Sequence, residues 1–339
     1  PTPSYKGNGL GRVMNIWSFL RQLWQMEPAL VAGCKPDVVI ASSTYPMDIW
    51  VARRIARLAG AKLVYEVHDL WPLSPIELSG MSPNHPFIVL CQAAENYAYR
   101  HSDVVISMAC KADSYMAEHG LDLRKFHHIP NGISPEDWDD HPALTATPLS
   151  AHLQSIKTEG KTVVGYAGSH GLPNALDFFL DAATLLQEMP LAFVLVGDGH
   201  EKLRLKQRVK VEGLRNVAFF DPVPKAQIPS LLQHFDIAYI GWQRVPLYRF
   251  GIAPNKLMDY MMAGCAVLHS VKAGNDPVAE ANCGLTVAPE SAVAIADGLR
   301  RLTSVGPTAR HSMGVRGRAH VLAHHTYPVL AQRFLQAIS

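Results

Sequence analysis

The stretch "TVVGYAGSHGLPNALDFFLDAATLLQEM" (residues 162–189) decides the fold of this chain. It starts with a short apolar run, passes through a turn that contains two glycines, and continues as a helical segment. The same order returns at once in "AFVLVGDG" (192–199) and "HEKLRLKQRVKVEG" (200–213). Apolar strands that alternate with helices are typical of a parallel sheet covered on both faces.

The second half of the chain continues this alternation. Four more apolar segments are predicted as strands: "NVAFFDPV" (216–223), "DIAYIGW" (236–242), "AVLHSV" (266–271) and "CGLTVA" (283–288). Six strands separated by helices favour a doubly wound α/β sheet.

The first half has a similar architecture with fewer strands. Its predicted strands are "DVVIAS" (37–42), "KLVYEV" (62–67), "DVVISM" (103–108) and the start of "FHHIPNG" (126–132). A loop-like opening and a helix over about residues 10–26 come before them, and the chain starts at Pro1. We therefore expect a truncated chain that lacks the first strands of this sheet.

The length of 339 residues predicts two domains. We expect an N-terminal domain over 1–140, a linker over 141–160 where the rhythm is lost, and a C-terminal domain over 161–322. A C-terminal helix over 323–339 is predicted to pack back toward the N-terminal domain.

Composition excludes several classes of protein. The net charge of +2 gives no reason to expect a nucleic-acid partner. Five scattered cysteines without metal or redox spacing indicate reduced thiols in a cytoplasmic protein. No apolar run is long enough to span a bilayer. "NIWSFLRQLWQM" (15–26) could lie at a membrane interface or pack as an amphipathic helix on its own domain.

Two glycine turns follow predicted strands, where open parallel sheets collect ligands. In the first, Gly168, Ser169 and His170 precede a helix whose free N–H groups could bind an anion. In the second, Gly197 and Asp198 could contact a ligand. On spacing alone, a tight turn is the favoured explanation of the first segment, and helix capping is the commoner role for an aspartate such as Asp198.

The segment "LYRFGIAPNKLMDYMMAGCAV" (247–267) places cations where a helix disfavours them. A helix is predicted with Pro254 at its first position, so Lys256 lies in the first turn, with Arg249 just upstream. A bound diphosphate would neutralise both cations, and Asp259, three residues further on, could accept hydrogen bonds from a ribose. The alternative is that both cations are solvated surface charges.

The first half offers weaker candidates. His68 and Asp69 follow a strand, and His68 could bind a sugar hydroxyl or move a proton while Asp69 orients it. A structural histidine is the alternative. Glu77 and Glu95 are less specific candidates still, and Glu95 could be a surface charge or a helix-packing residue.

With these residues in place, the chain resembles glycosyltransferase family 4, the retaining enzymes of the GT-B fold, and most of all the bacterial O-antigen and capsule amino-sugar transferases. The resemblance is carried by "VYEVHDLWPLSPIELSGM" (64–81), "IPNGI" (129–133), "VVGYAGSHGLPNALD" (163–177), "FVLVGDG" (193–199), "LYRFGIAPNKLMDYMMAG" (247–264) and "GNDPVAEANCGLTV" (274–287). It implies an α/β fold of two Rossmann-like doubly wound parallel sheets facing across a cleft.

The resemblance also implies a donor site. Asp259 matches a glutamate that binds ribose, Asn255 and Lys256 match positions near the phosphates, and His68 matches a position near the donor sugar. Val223 is included among the donor-binding residues.

The sequence departs from the family pattern in two places. Gly251 replaces a glutamate, so backbone N–H groups near Phe250 and Ile252 are expected to substitute for it. The arginine and lysine that usually follow the first strand of this domain fall on Ser169 and Asn174. Arg249 and Lys256 would then carry more of the diphosphate charge.

These features predict a retaining glycosyltransferase that moves a hexose or N-acetylhexosamine from a UDP sugar to a saccharide acceptor, lipid-linked in bacterial polysaccharide synthesis. No metal or other cofactor is expected. Peripheral contact with the inner face of the cytoplasmic membrane would follow from such an acceptor. The alternatives are a UDP-sugar 2-epimerase and a truncated module that binds nucleotide sugars without turnover.

Overall fold

The computed structural model describes residues 2, 4, 10–42, 45–145 and 147–339. Most of the predicted loop-like opening before residue 10 lies outside the described residues.

The strands are β1 (Val38–Ala41), β2 (Lys62–Val67), β3 (Val104–Ser107), β4 (Phe126–His128), β5 (Thr162–Ala167), β6 (Leu191–Val196), β7 (Val217–Phe220), β8 (Ile237–Gly241), β9 (Ala266–Ser270) and β10 (Gly284–Thr286). The α-helices are α1 (Leu10–Cys34), α2 (Ile49–Ala59), α3 (Leu73–Ser79), α4 (Pro86–His101), α5 (Asp113–Glu118), α6 (Glu136–Asp139), α7 (Pro148–Thr158), α8 (Leu176–Leu185), α9 (Lys202–Glu212), α10 (Ile228–Leu232), α11 (Asn255–Met262), α12 (Pro277–Glu280), α13 (Ala292–Ser304), α14 (Gly306–His324) and α15 (Tyr327–Ile338).

The chain divides into two compact units. The first comprises residues 1–130, 245–252 and 332–339, and the second comprises 131–244 and 253–331. The segment 245–252, predicted as part of the C-terminal domain, is therefore grouped with the first unit. The last residues of α15 are grouped with it as well, and Phe334 and Ile338 pack against Val64 and Ile106 of the first sheet.

The second unit contains a six-stranded parallel sheet in the order β10-β9-β8-β5-β6-β7. The chain winds outward from β5 in one direction and then returns to β8 on its other side. Every residue of β6 is buried, which explains the unbroken apolar run "LAFVLV". The reversal between β5 and β8 is the point where ligands bind in folds of this kind.

The first unit contains a four-stranded parallel sheet in the order β1-β2-β3-β4. Its described strands follow one direction without a reversal. Buried residues from α1, α2, α4 and α5 form the larger core cluster of this unit together with side chains of β1, β2 and β3.

The α/β class and the ten predicted strands are confirmed. The helices differ more from the prediction. The first helix extends to Cys34, and the proline-rich segment after β2 contains α3. Residues 306–338 form two helices, α14 and α15, where one C-terminal helix over 323–339 was predicted.

The predicted linker also contains a helix. The side chains of Thr147 and Ser150 form a capping box at the start of α7, which supplies two backbone donors with partners. Leu153 and Ile156 lie in the core of the second unit. Residues 148–158 are thus an ordered part of that unit, which the polar and proline-rich composition around them concealed.

Candidate functional site

Helix α11 is fixed against the end of β5. The Tyr260 hydroxyl accepts a hydrogen bond from the Ala167 amide at 2.9 Å and lies 3.2 Å from the Ala167 carbonyl oxygen. The helix begins at Asn255, so Pro254 is the N-cap residue with extended backbone and not the first helical residue as predicted. The first turn carries no acidic side chain.

Lys256 belongs to a closed ring of hydrogen bonds at this helix start. Its Nζ donates to the Tyr166 hydroxyl and to Asn174 Oδ1, both at 2.9 Å. Tyr166 and Asn174 in turn donate to the carbonyl oxygen of Ser169, at 2.5 and 3.0 Å. The ammonium also lies 4.3 Å from the centroid of the Tyr166 ring. Lys256 is therefore held on the turn that follows β5.

The electrostatic setting of Lys256 is unusual for a lysine. Burial lowers its pKa to about 8. Its side-chain partners among the described residues are Tyr166 and Asn174, and none is a carboxylate. A largely buried cation with only neutral partners at a helix N-terminus can accept an anion without displacing a bound carboxylate.

The two glycine turns pack directly on each other. A Cβ at Gly168 would lie 2.7 Å from Lys256 Cε, and a Cβ at Gly197 would lie 1.9 Å from the carbonyl oxygen of Gly168. The His170 amide donates to the Asp198 carbonyl oxygen at 2.8 Å. Glycine is thus required at Gly168 and Gly197 to bring these backbones together and to leave space for the lysine.

His170 does not take the donor-binding role predicted for it. Its side chain is fully buried, with its ring beside Tyr166 and edge-on to Phe219. Burial lowers its pKa to about 4, so the ring is neutral at pH 7. The buried His170 ring therefore stabilises the turn by packing against Tyr166 and Phe219.

Other predicted donor residues have different surroundings. Asp198 is exposed, and its Oδ1 accepts from the Gly199 amide at 2.8 Å instead of capping α9. Val223 is half-buried and packs against the core of the second unit.

Asp259 lines a cavity of about 530 Å³ in the second unit. Asn255, Lys225, Asp137 and Trp138 also line it. Burial raises the pKa of Asp259 to about 6. No side chain of the described residues hydrogen-bonds to its carboxylate, which leaves both oxygens able to accept ligand hydroxyls.

Arg249 is engaged within the first unit. Its guanidinium donates to both carboxylate oxygens of Glu77, at 2.9 and 2.8 Å, and lies 4.2 Å from the Phe250 ring centroid. Half of its side chain is exposed. Arg249 is therefore not a freely solvated charge, because it forms an ion pair. Its partner is Glu77, one of the less specific candidates from the sequence. Gly251 has a φ of 107° directly after the 3₁₀ turn that holds Arg249, and Ile252 is buried.

His68 lies at the carboxyl end of β2 beside two residues that the sequence prediction missed. Ser42 Oγ is 2.9 Å from His68 Nε2 and donates to Glu66 Oε2 at 2.5 Å. The Asp69 carboxylate forms no hydrogen bond with a described residue, so its predicted role in orienting the histidine stays a prediction. Adjacent parallel strands bring Ser42 and Glu66 together, and strand pairing cannot be seen in a single segment.

The described residues contain no group of three or more histidine, cysteine or acidic side chains arranged to hold a metal ion. Among the described helices, none combines the length and apolar character needed to cross a bilayer.

Comparison with known families gives two matches. Residues 1–132 match the glycosyl transferase 4-like domain, and residues 161–304 match the glycosyl transferases group 1. These two regions are therefore similar to glycosyltransferase domains, and the fold of the chain is that of GT-B glycosyltransferases.

Individual proteins are similar over most of the chain. A putative colanic acid biosynthesis glycosyl transferase, WcaI of Escherichia coli strain K12, is 24% identical over 278 residues, which cover 79% of this chain and 66% of that protein. This chain thus spans about two thirds of the length of that relative.

Two solved structures share the fold. HepE of Anabaena in complex with UDP has a TM-score of 0.68 and 18% identity, covering 94% of this chain and 83% of that one. A glycosyltransferase from Rickettsia africae has a TM-score of 0.73 and 14% identity, covering 98% of this chain and 83% of that one.

Proposed function

We propose that this protein transfers a hexose or N-acetylhexosamine from a UDP sugar to a saccharide acceptor in bacterial polysaccharide synthesis, with retention at the anomeric carbon. The observation that carries the proposal is the ammonium of Lys256, held by Tyr166 and Asn174 at the start of α11 with no carboxylate partner among the described residues. The family matches and the colanic acid relative support the reaction class and the process. The UDP bound to HepE supports the choice of nucleotide.

In the proposed reaction the bond between the anomeric carbon and the β-phosphate oxygen breaks, and UDP leaves. Negative charge grows on that oxygen, and Lys256 and the N–H groups at the start of α11 stabilise it. The acceptor hydroxyl attacks from the same face, and its proton passes to the departing phosphate. Asp259 accepts hydrogen bonds from the ribose hydroxyls. No metal ion takes part, so a chelator should leave the rate unchanged.

The first unit is proposed to bind the acceptor. His68 lies at the carboxyl end of its sheet with Ser42 Oγ 2.9 Å from its Nε2, and it is proposed to bind a hydroxyl of the donor sugar. An acceptor carried on a lipid diphosphate would place the enzyme at the inner face of the cytoplasmic membrane. The segment 245–252, which includes Arg249, is proposed to border the donor.

Calorimetry of UDP binding tests the site. We expect Lys256→Ala to weaken UDP binding about tenfold or more, because it removes a charged hydrogen-bond donor from the phosphate. Lys210→Ala, on the exposed face of α9 in the same unit, is the matched control and should leave the affinity unchanged. Equal affinities for the two variants and the wild type would remove Lys256 from the site.

A panel of nucleotide sugars, followed by NMR with and without acceptor saccharides, tests the reaction. Transfer should need an acceptor and give a product with the donor's anomeric configuration. Interconversion of the UDP sugar without any acceptor would establish the epimerase alternative. UDP binding without turnover would establish the non-catalytic module.

A further inference from the structure

A buried carboxyl group in the first unit lies outside the residues assigned to donor or acceptor. Glu95 of α4 is fully buried. Its Oε1 accepts from the Tyr99 hydroxyl at 2.8 Å, and its Oε2 accepts from Tyr115 at 3.0 Å and from Gln92 at 2.9 Å. Three donors converge on one side chain, and two of them are tyrosines on different helices, α4 and α5.

Tyr115 packs against the segment 245–252, whereas Tyr99 packs against the sheet. The Tyr115 ring packs against the Phe250 ring with their centroids 5.6 Å apart. The Phe250 carbonyl oxygen accepts from the Lys111 amide at 2.8 Å, just before α5. Tyr99 instead packs against Tyr65 of β2, with ring centroids 5.9 Å apart.

We propose that Glu95 is a positioning residue: through the Tyr115 hydroxyl it fixes the ring on which Phe250 rests, and so sets the conformation of segment 245–252 and of Arg249. The contacts between Glu95, Tyr115 and Phe250 lie within one unit. They connect the buried Glu95 side chain to the half-exposed guanidinium of Arg249, which lies over the Phe250 ring. The effect on the reaction rests on the proposed function, in which this segment borders the donor.

The Glu95 carboxyl group is buried together with three hydrogen-bond donors. Burial raises its pKa to about 7, while the hydrogen bonds from Tyr99, Tyr115 and Gln92 act in the opposite direction. Burying a carboxyl group is costly unless its hydrogen bonds are satisfied. The buried Glu95 carboxyl group lies where its hydrogen bond from Tyr115 holds that ring against segment 245–252.

Two conservative substitutions separate positioning from general stability. Tyr115→Phe and Tyr99→Phe each remove one hydroxyl from Glu95 and keep the ring, and of the two rings it is Tyr115 that pairs with the Phe250 ring. Hydrogen exchange in peptides covering 245–252 reports on the segment without any assay of activity. The amides of Tyr248 and Gly251 are useful probes because they donate within it, to Val245 and Tyr248.

We expect exchange in this segment to rise about fivefold in Tyr115→Phe, equivalent to one hydrogen bond, and to stay at the wild-type rate in Tyr99→Phe. Phe250→Leu should raise it similarly and should not add to Tyr115→Phe in the double variant, since both break the same chain of contacts. The donor KM should rise severalfold in Tyr115→Phe with kcat little changed.

Equal exchange in the two tyrosine variants would overturn the positioning role, because Glu95 would then act only on stability. Faster exchange in Tyr115→Phe with an unchanged donor KM would instead overturn the assignment of this segment to the donor site. The two failures are therefore distinguishable, and the exchange result holds even for a chain without measurable turnover.

Discussion

The Lys256 ammonium is the residue on which the proposed chemistry depends. Burial lowers its pKa to about 8, so it is mostly protonated at pH 7 and loses its charge as the pH rises above 8. A bound diphosphate favours the charged form. Binding and protonation of Lys256 are therefore linked, and each strengthens the other.

This linkage predicts a pH-dependent affinity. Between pH 7 and pH 9, UDP should bind about tenfold more weakly to the wild type, because an increasing fraction of Lys256 is neutral. Lys256→Ala, titrated by calorimetry over the same range, should show only the change that comes from ionisation of the ligand. Parallel curves for the two proteins would contradict this assignment.

Asp259 makes a second prediction at this scale. With a pKa of about 6 it is ionised at pH 7.5 and can accept hydrogen bonds from both ribose hydroxyls. Asp259→Asn should weaken UDP binding about tenfold but barely change the binding of 2′,3′-dideoxy-UDP, which lacks those hydroxyls. Asp137→Asn, in the same cavity, is the control and should affect neither ligand. An equal loss for both ligands would rule out a ribose contact.

At the scale of elements, the two turns after β5 and β6 behave as one piece. Gly197 allows the second turn to reach the backbone of the first, and Gly168 leaves the space that Lys256 fills. The proposed donor site is thus built from turn packing, and α11 is attached to it through Tyr260.

Gly197→Ala should therefore damage the site and the fold together. Its methyl group would overlap the Gly168 carbonyl oxygen, and we expect a loss of about 3 kcal/mol in the free energy of unfolding. Gly213→Ala, at the end of α9, also has a positive φ but meets no neighbour, and should cost only about 1 kcal/mol. Chemical denaturation of both variants measures the difference. Similar losses would show that conformation, and not turn packing, requires glycine at Gly197.

At the scale of the molecule, the buried carboxyl group of Glu95 lowers the stability of the first unit at neutral pH. The folded-state pKa of Glu95 is about 7 against an ordinary value of 4.5, so the folded unit binds more protons between these values. Its contribution to the free energy of unfolding is therefore highest below pH 4.5 and declines as the pH rises to 7.

Glu95→Gln isolates this effect. From pH 4.5 to 7, the free energy of unfolding of the wild type should fall relative to the variant by about 3 kcal/mol, at 1.36 kcal/mol for each unit of pKa shift. Denaturation at a series of pH values, followed by a probe in the first unit, gives the two curves. A constant difference would mean that Glu95 has an ordinary pKa.

The sequence by itself determined the class of fold, and it predicts where ligands bind. Strand order along the chain follows from apolar runs such as 191–196, and a lysine in the first turn of α11 indicates an anion because the helix dipole disfavours a cation there. Both signals are local. They depend on residues close together in the chain.

Only the tertiary structure decided which partner each side chain meets. It paired Arg249 with Glu77, buried His170 beneath its turn, placed Ser42 beside His68 and turned Glu95 toward Tyr115. These contacts join residues that are distant in sequence or depend on which face of a turn is buried. Parallel strands meet only after crossover connections, so their pairing is not encoded in any local pattern. Packing between elements therefore sets the charge and the neighbours of each site residue.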